Sequence, residues 1–251
     1  MEIIPPHARA AAALKGGAGL VRAADIAPLK TGAAESFSEI AEAVRAAPLH
    51  EIAPAEAGDV GAALGFALGL TQLWTAPLTL FISPQARNGE DGTLYAEGCA
   101  QFGFRLEDLI LVRPRTAQDA LWAAEQALTL PGATVVCVIA GKTLDLIASR
   151  RLLLAAETFG AHGLLVRLDG LSAGAAWTRW RIAAAASLAA ADGEIGRPAL
   201  RAQLTRRRGG RSDLSWTLEW DAHARRFSER AAMAGAVAAA AEDGPAKARA
   251  G

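Results

Sequence analysis

Short apolar runs alternate with helix-forming segments from Leu49 onward, and this alternation constrains the fold more than any other feature of the sequence. The runs show no polar alternation, which is typical of parallel strands that are covered on both faces. The predicted strands are residues 49–52, 78–82, 109–112, 134–139 and 163–168. The predicted helices are residues 60–73, 94–102, 117–129 and 144–159.

Three more strand-like segments follow with no helix between them, at residues 178–184, 201–206 and 216–220. They predict an antiparallel extension of the same sheet. The fold class is therefore α/β, with a mainly parallel sheet flanked by helices and antiparallel C-terminal strands.

The flanking segments divide the chain into three parts. Residues 1–45 are predicted to be an N-terminal helical segment, residues 46–227 the core domain, and residues 228–251 an Ala-rich helix with a disordered tail. The tail has two interpretations: it becomes ordered in the groove of a partner, or it is an expendable terminus.

Other features exclude several classes of protein. The sequence has no run of about 18 apolar residues, and its first residues lack the apolar centre of a signal peptide. Only two cysteines, Cys99 and Cys137, are present, so we expect no disulfides. Together with the missing apolar runs, this predicts a cytoplasmic protein without membrane contact.

The four histidines lie apart from other ligand-type residues, so no metal site is predicted. His50 is interpreted as a hydrogen-bonded strand residue.

The segment after the first strand has the length and position of a phosphate-binding loop, G-x-x-x-x-G-K-[ST]. Gly58 stands at the second glycine, but Ala53 replaces the first, Asp59 the lysine and Val60 the metal-binding hydroxyl. A phosphate there would be repelled by carboxylates, which changes the interaction by several kcal/mol at an effective dielectric near 20. The segment is either a degenerate phosphate loop or an ordinary strand-to-helix turn, and neither form predicts a cofactor.

A Gly-Lys-Thr tripeptide at residues 141–143 matches the last three positions of a phosphate-binding loop. It follows the predicted strand 134–139 with no preceding flexible loop that could wrap a phosphate. We interpret it as a strand-to-helix turn.

Arginine is concentrated in the C-terminal third, where residues 197–230 contain nine arginines against four acids. This surface suits a nucleic acid or a protein partner, and a solvated turn with core tryptophans is the alternative. The candidate binding residues are Arg179, Arg206, Arg207, Arg208, Arg211 and Trp216.

From Leu49 onward the order of segments resembles the RecA core, and several segments resemble the ImuA family of inducible-mutagenesis proteins. The resemblance covers about residues 48–222, and no single motif is diagnostic. The segments are FRLEDLILVRP (104–114), ALWAAEQAL (120–128), LDLIASRRL (144–152), TRWRIA (178–183) and RRRGGR (206–211) followed by WTLEW (216–220).

The resemblance implies a RecA-like P-loop-type core without catalytic groups. Where the catalytic glutamate would follow the second strand, the sequence has Gln85, and the strand at 134–139 is followed by no carboxylate. Phosphoryl transfer needs these groups. The resemblance therefore implies a protein that is not an enzyme.

Proteins of the ImuA family act in DNA repair under the SOS response to DNA damage, with ImuB and an error-prone C-family polymerase. The resemblance thus implies an accessory protein of mutagenic translesion synthesis that docks an ImuB-like inactive Y-family polymerase relative. RecA and single-stranded DNA are further candidate partners. The alternatives are a divergent DNA-dependent ATPase of the RecA type and a SulA-like inhibitor of cell division.

Overall fold

The predicted alternation is present in the structure, a computed structural model that describes residues 35–84, 94–141, 144–188 and 196–230. The strands in these ranges are β1 Leu49–Pro54, β2 Thr79–Ile82, β3 Leu109–Val112, β4 Thr134–Ile139, β5 His162–Arg167, β6 Thr178–Ala185, β7 Ala199–Arg207, β8 Leu214–Asp221 and β9 Arg226–Glu229. The helices are α1 Phe37–Arg45, α2 Val60–Thr71, α3 Ala96–Gln101, α4 Ala117–Ala127 and α5 Leu146–Phe159.

The strands form one nine-stranded sheet in the order β3-β2-β4-β5-β1-β6-β7-β8-β9. Strands β1 to β6 pair in parallel, and β7 to β9 add antiparallel strands beyond β6. The predicted fold class is therefore confirmed. The sequence analysis missed β9, a four-residue strand in which only Phe227 is apolar.

The two faces of the sheet are covered differently. Helices α4 and α5 pack against the parallel strands on one face. Helices α1 and α2 pack on the other face, where the core continues into β6, β7 and β8. The outer face of β6 to β8 consequently carries half-buried and exposed residues that alternate with the buried ones.

Helix α1 belongs to this core, although the sequence analysis grouped it with an N-terminal segment. The ring of Phe37 lies 5.8 Å from that of Trp216, 6.2 Å from Phe227 and 6.3 Å from Trp180, measured between centroids. Ser36 begins the helix as its N-cap in a capping box. Residues 1–34 and 231–251, which make up the rest of the predicted N-terminal segment and most of the predicted tail, lie outside the described residues.

His50 is completely buried in β1, and both of its ring nitrogens have partners. Nε2 donates to the Ala47 carbonyl at 3.1 Å, and Nδ1 accepts from the Thr178 hydroxyl at 2.7 Å. The Thr178 oxygen in turn accepts from the Trp180 indole at 2.7 Å. This set of bonds suits a neutral imidazole, and burial lowers the pKa of His50 to about 3.

We expect folding stability to fall as the pH drops below 6.5, the ordinary pKa of histidine. The unfolded chain binds a proton at His50 in this range and the folded chain does not, so the loss approaches about 1.4 kcal/mol per pH unit. Urea unfolding between pH 4.5 and 7.5 measures it. A His50→Gln variant should have a shallower pH dependence, and a slope equal to that of the wild type would contradict the prediction.

Candidate functional site

The position of the phosphate loop is occupied by a short bend and a 3₁₀ turn. Strand β1 extends two residues further than predicted, so Ala53 and Pro54 pair with β6 instead of forming a loop. The amide of Ala55 donates to the Ile182 carbonyl at 2.7 Å. The turn Ala57–Asp59 then leads directly into α2. This path leaves no wide backbone loop around a phosphate position.

The carboxylate of Asp59 binds backbone amides that come from two segments. One oxygen accepts from the Glu56 amide at 3.1 Å, and the other accepts from the Ala184 amide of β6 at 2.8 Å. Phosphate loops bind phosphate oxygens through backbone amides in the same way. In this protein the side-chain carboxylate of Asp59, and not a bound phosphate, accepts the hydrogen bonds of these amides.

The described residues that directly follow β4 include no acidic residue. Ile139 is followed by Ala140 and Gly141, whose φ of +77° lies in the left-handed region. The amide of Gly141 donates to the carboxylate of Asp169, which follows β5. Gln85 and the Lys-Thr pair at 142–143 lie outside the described residues, so their predicted roles are not placed by the structure.

A cavity of about 720 Å³ lies beside α2 at the same end of the sheet. Its described wall consists mainly of apolar residues, among them Val60, Gly61, Leu64, Tyr95 and Phe102. No lysine or arginine occurs among the described lining residues, so this wall offers no cation to a nucleotide phosphate.

The predicted arginine surface divides into structural and exposed members. Arg207 pairs with Glu35 at 2.6 Å, and the Trp216 indole donates to the Glu35 carbonyl at 3.0 Å. Trp216 is only 5% exposed, so the prediction that its ring is available to a ligand is wrong: it packs against α1 in the core. Arg208 covers the ring of Trp177 at 5.1 Å, and Arg211 is exposed.

Arg179 and Arg206 lie beside a buried carboxylate that the sequence analysis did not single out. Glu51 of β1 is fully buried, with Arg179 Nε at 3.3 Å and Arg167 Nη1 at 3.7 Å from its Oε2. Arg179 and Arg206 both donate to the Gly174 carbonyl, at 2.7 and 3.2 Å. A single glutamate in a short buried strand gives a weak sequence signal, because its partners come from strands that are distant along the chain.

A second exposed surface lies on α4 and α5. Trp122 is 63% exposed, Ile147 69% and Leu154 61%. They surround an ion pair between Arg151 and Glu125 at 2.5 Å that joins the two helices. Trp122 precedes Glu125 by three residues, and Ile147 and Leu154 lie four residues before and three after Arg151, so all face the same side.

Two classes of site are not found in the part of the chain that the structure describes. No helix there combines the length and the apolar character needed to cross a bilayer. No three side chains of His, Cys, Asp or Glu come together there in a group that could hold a metal ion.

We expect Asp59→Ala to lower the free energy of unfolding by about 1–2 kcal/mol, because two amides lose their acceptor. Gly58→Ala is the matched control: a Cβ at Gly58 meets no atom within 4 Å, so stability should be unchanged or slightly higher. Urea unfolding followed by tryptophan fluorescence measures both. Equal stability of the two variants would show that the Asp59 contacts do not support the turn.

Solved structures that are similar to this chain include a SulA protein and a recombinase. SulA from Pseudomonas aeruginosa has a TM-score of 0.37 and 24% sequence identity over 48% of this chain and 97% of SulA. The RadB recombinase has a TM-score of 0.46 and 15% identity over 72% of this chain and 89% of RadB. No family model matches the sequence, and no curated protein matches it. Both similarities concern the fold alone.

Proposed function

We propose that this protein is a non-catalytic RecA-like accessory protein of damage-induced mutagenic translesion DNA synthesis, which docks an ImuB-like inactive polymerase relative. The observation that carries the proposal is the Asp59 carboxylate, which binds backbone amides where a phosphate loop would hold ATP. The assignment to this pathway rests on the ImuA-like segments of the sequence.

The chemistry of phosphoryl transfer supports a binding role. Transfer requires a lysine on the phosphates, a metal ion with its ligands and a group that orients the nucleophile. Asp59 and Val60 stand at the lysine and hydroxyl positions, and no carboxylate ends β4. A scaffold without these groups acts by presenting surfaces to partners.

The exposed surface on α4 and α5 is the docking site that we assign to the ImuB-like partner. Tryptophan and arginine dominate the energetics of protein interfaces, and exposed apolar side chains beside them can form the buried centre of a contact. Trp122, Ile147 and Leu154 supply that centre around the Arg151–Glu125 pair. The same helices carry the ImuA-like segments 120–128 and 144–152.

We expect no ATP turnover above background from the purified protein, with or without single-stranded DNA, because the phosphate position holds a carboxylate. A malachite-green phosphate assay measures it. Turnover that DNA stimulates and that a Gly58→Arg variant loses would contradict the proposal and favour a DNA-dependent ATPase.

We expect the protein to co-purify with an ImuB-like protein when the two are co-expressed. Trp122→Ala combined with Ile147→Asp should weaken the complex at least tenfold, because each residue lies at the proposed centre of the contact. Binding is measured by biolayer interferometry on the purified pair.

The control for this experiment is Tyr95→Ala combined with Leu106→Asp, which changes residues that are 68% and 47% exposed on other elements. It should bind as the wild type does. Equal loss in both double variants, or no complex with the wild type, would contradict the docking assignment.

A further inference from the structure

The outer face of β6 to β8 is polar and uncovered in the described structure. Trp180 and Ile182 of β6 point into the core, as do the buried residues of β7 and β8. The residues that alternate with them along each strand therefore point outward. The outward residues of these strands include Arg179, Arg181, Ala183, Ala185, Ala199, Arg201, Gln203, Arg206, Ser215, Thr217, Glu219 and Asp221.

The unneutralised charge on this face is positive. Arg181 and Arg201 are exposed, and neither has an ion pair or side-chain hydrogen bond to another residue in the described ranges. The acids of the same region already have partners: Glu219 pairs with Arg230 at 2.6 Å, and Asp221 pairs with Arg197 at 3.0 Å.

The arginines form a continuous track across the strands. Arg206 lies directly opposite Arg179 in the sheet register, and Ala183 lies opposite Arg201. Successive outward residues on a strand are about 6.6 Å apart. The track therefore runs from Arg206 and Arg179 through Arg181 to Arg201, with Arg208 at its turn end.

We propose that this arginine face, in which Arg181 and Arg201 are unpaired among the described residues and Arg206 and Arg208 lie beside them, binds the phosphodiester backbone of single-stranded nucleic acid. A regular series of guanidinium groups fits a regular series of phosphates. These arginines lie on or directly after β6 and β7, which are about 5 Å apart. A row of this width follows one phosphodiester backbone and does not reach both backbones of a duplex, whose major groove is about 12 Å wide.

The side chains on this face favour a polyanion over a protein. Arginine also occurs in protein interfaces, but the buried centre of such an interface is formed by large apolar or aromatic side chains, and the outward residues of β6 to β8 include none. Trp177 at the rim is covered by Arg208, so no free ring is offered for base stacking. Binding should therefore act through phosphates, with little dependence on base sequence.

Fluorescence anisotropy of a fluorescein-labelled (dT)20 strand with the full-length protein tests this site between 50 and 200 mM KCl. Affinity should fall as salt rises, because bound phosphates release counterions. Arg181→Ala combined with Arg201→Ala should lower affinity roughly tenfold at 150 mM KCl, and should flatten the slope of log affinity against log salt by about 1.4.

The control is Arg113→Ala combined with Arg150→Ala, which removes the same charge from exposed positions on other elements. It should bind within twofold of the wild type, and circular dichroism should show both double variants folded. Three results would overturn the assignment: equal loss in the two double variants, no binding by the wild type, and tighter binding of a 20-base-pair duplex or of poly-glutamate.

This site does not depend on the proposed docking function. The Trp122→Ala/Ile147→Asp variant should bind (dT)20 as the wild type does, and the Arg181→Ala/Arg201→Ala variant should still bind the ImuB-like protein. Either function can therefore fail in these assays while the other holds.

Discussion

The buried carboxylate of Glu51 is the interaction on which the arrangement of the sheet depends. Glu51 lies in β1, between the parallel strand β5 and the strand β6 that begins the antiparallel half. Burial raises the pKa of Glu51, while Arg179, Arg167 and the Ser149 hydroxyl act in the opposite direction. Loss of one partner from such a buried pair typically costs about 3–5 kcal/mol, so the ion pairs fix these strands and the arginines on them.

The ion pairs around Glu51 also determine the path of the loop between β5 and β6, which contains Gly174 and Ala175. A Cβ at Gly174 would meet the Glu51 carboxylate, so the loop can approach only because residue 174 is glycine. Its carbonyl then receives Arg179 and Arg206, and the Ala175 amide donates to Ser149 Oγ at 2.8 Å. The internal ion pair thereby orients the first two members of an external row of arginines. The arginines that stabilise the sheet and the arginines that are exposed therefore lie next to each other on β6 and β7.

Much of the fold could be predicted because the central parallel strands β1, β2, β4 and β5 are buried on both faces. The bounds of β3 and β4 agree with the apolar runs, and most other strands differ by one or two residues. The extension of β1 through Pro54 was missed because the comparison with a phosphate loop ended the strand at Ile52. Strand β9 was missed because its pairing with β8, and not its own composition, makes it a strand.

The site was less predictable than the fold, because contacts between distant parts of the chain determine which side chains are exposed. Trp216 and Arg207 stand next to exposed arginines in the sequence, yet both bind Glu35 from a segment about 170–180 residues away. The division of arginines into paired and free members likewise follows from long-range partners. A local cluster of one residue type indicates a surface, but tertiary contacts decide which of its members remain available.

The Asp59 carboxylate explains how the turn after β1 keeps its shape from within the chain. Backbone amides outside regular strand and helix pairing need acceptors, and in a phosphate loop the ligand supplies several of them. Asp59 binds the amides of Glu56 and Ala184 from within the chain, so the turn is satisfied with no ligand present. A lysine at position 59 has no acceptor atom in its side chain and would leave both amides without a partner from the chain. The carboxylate at this position therefore both holds the turn and places a negative charge where a phosphate loop has its lysine.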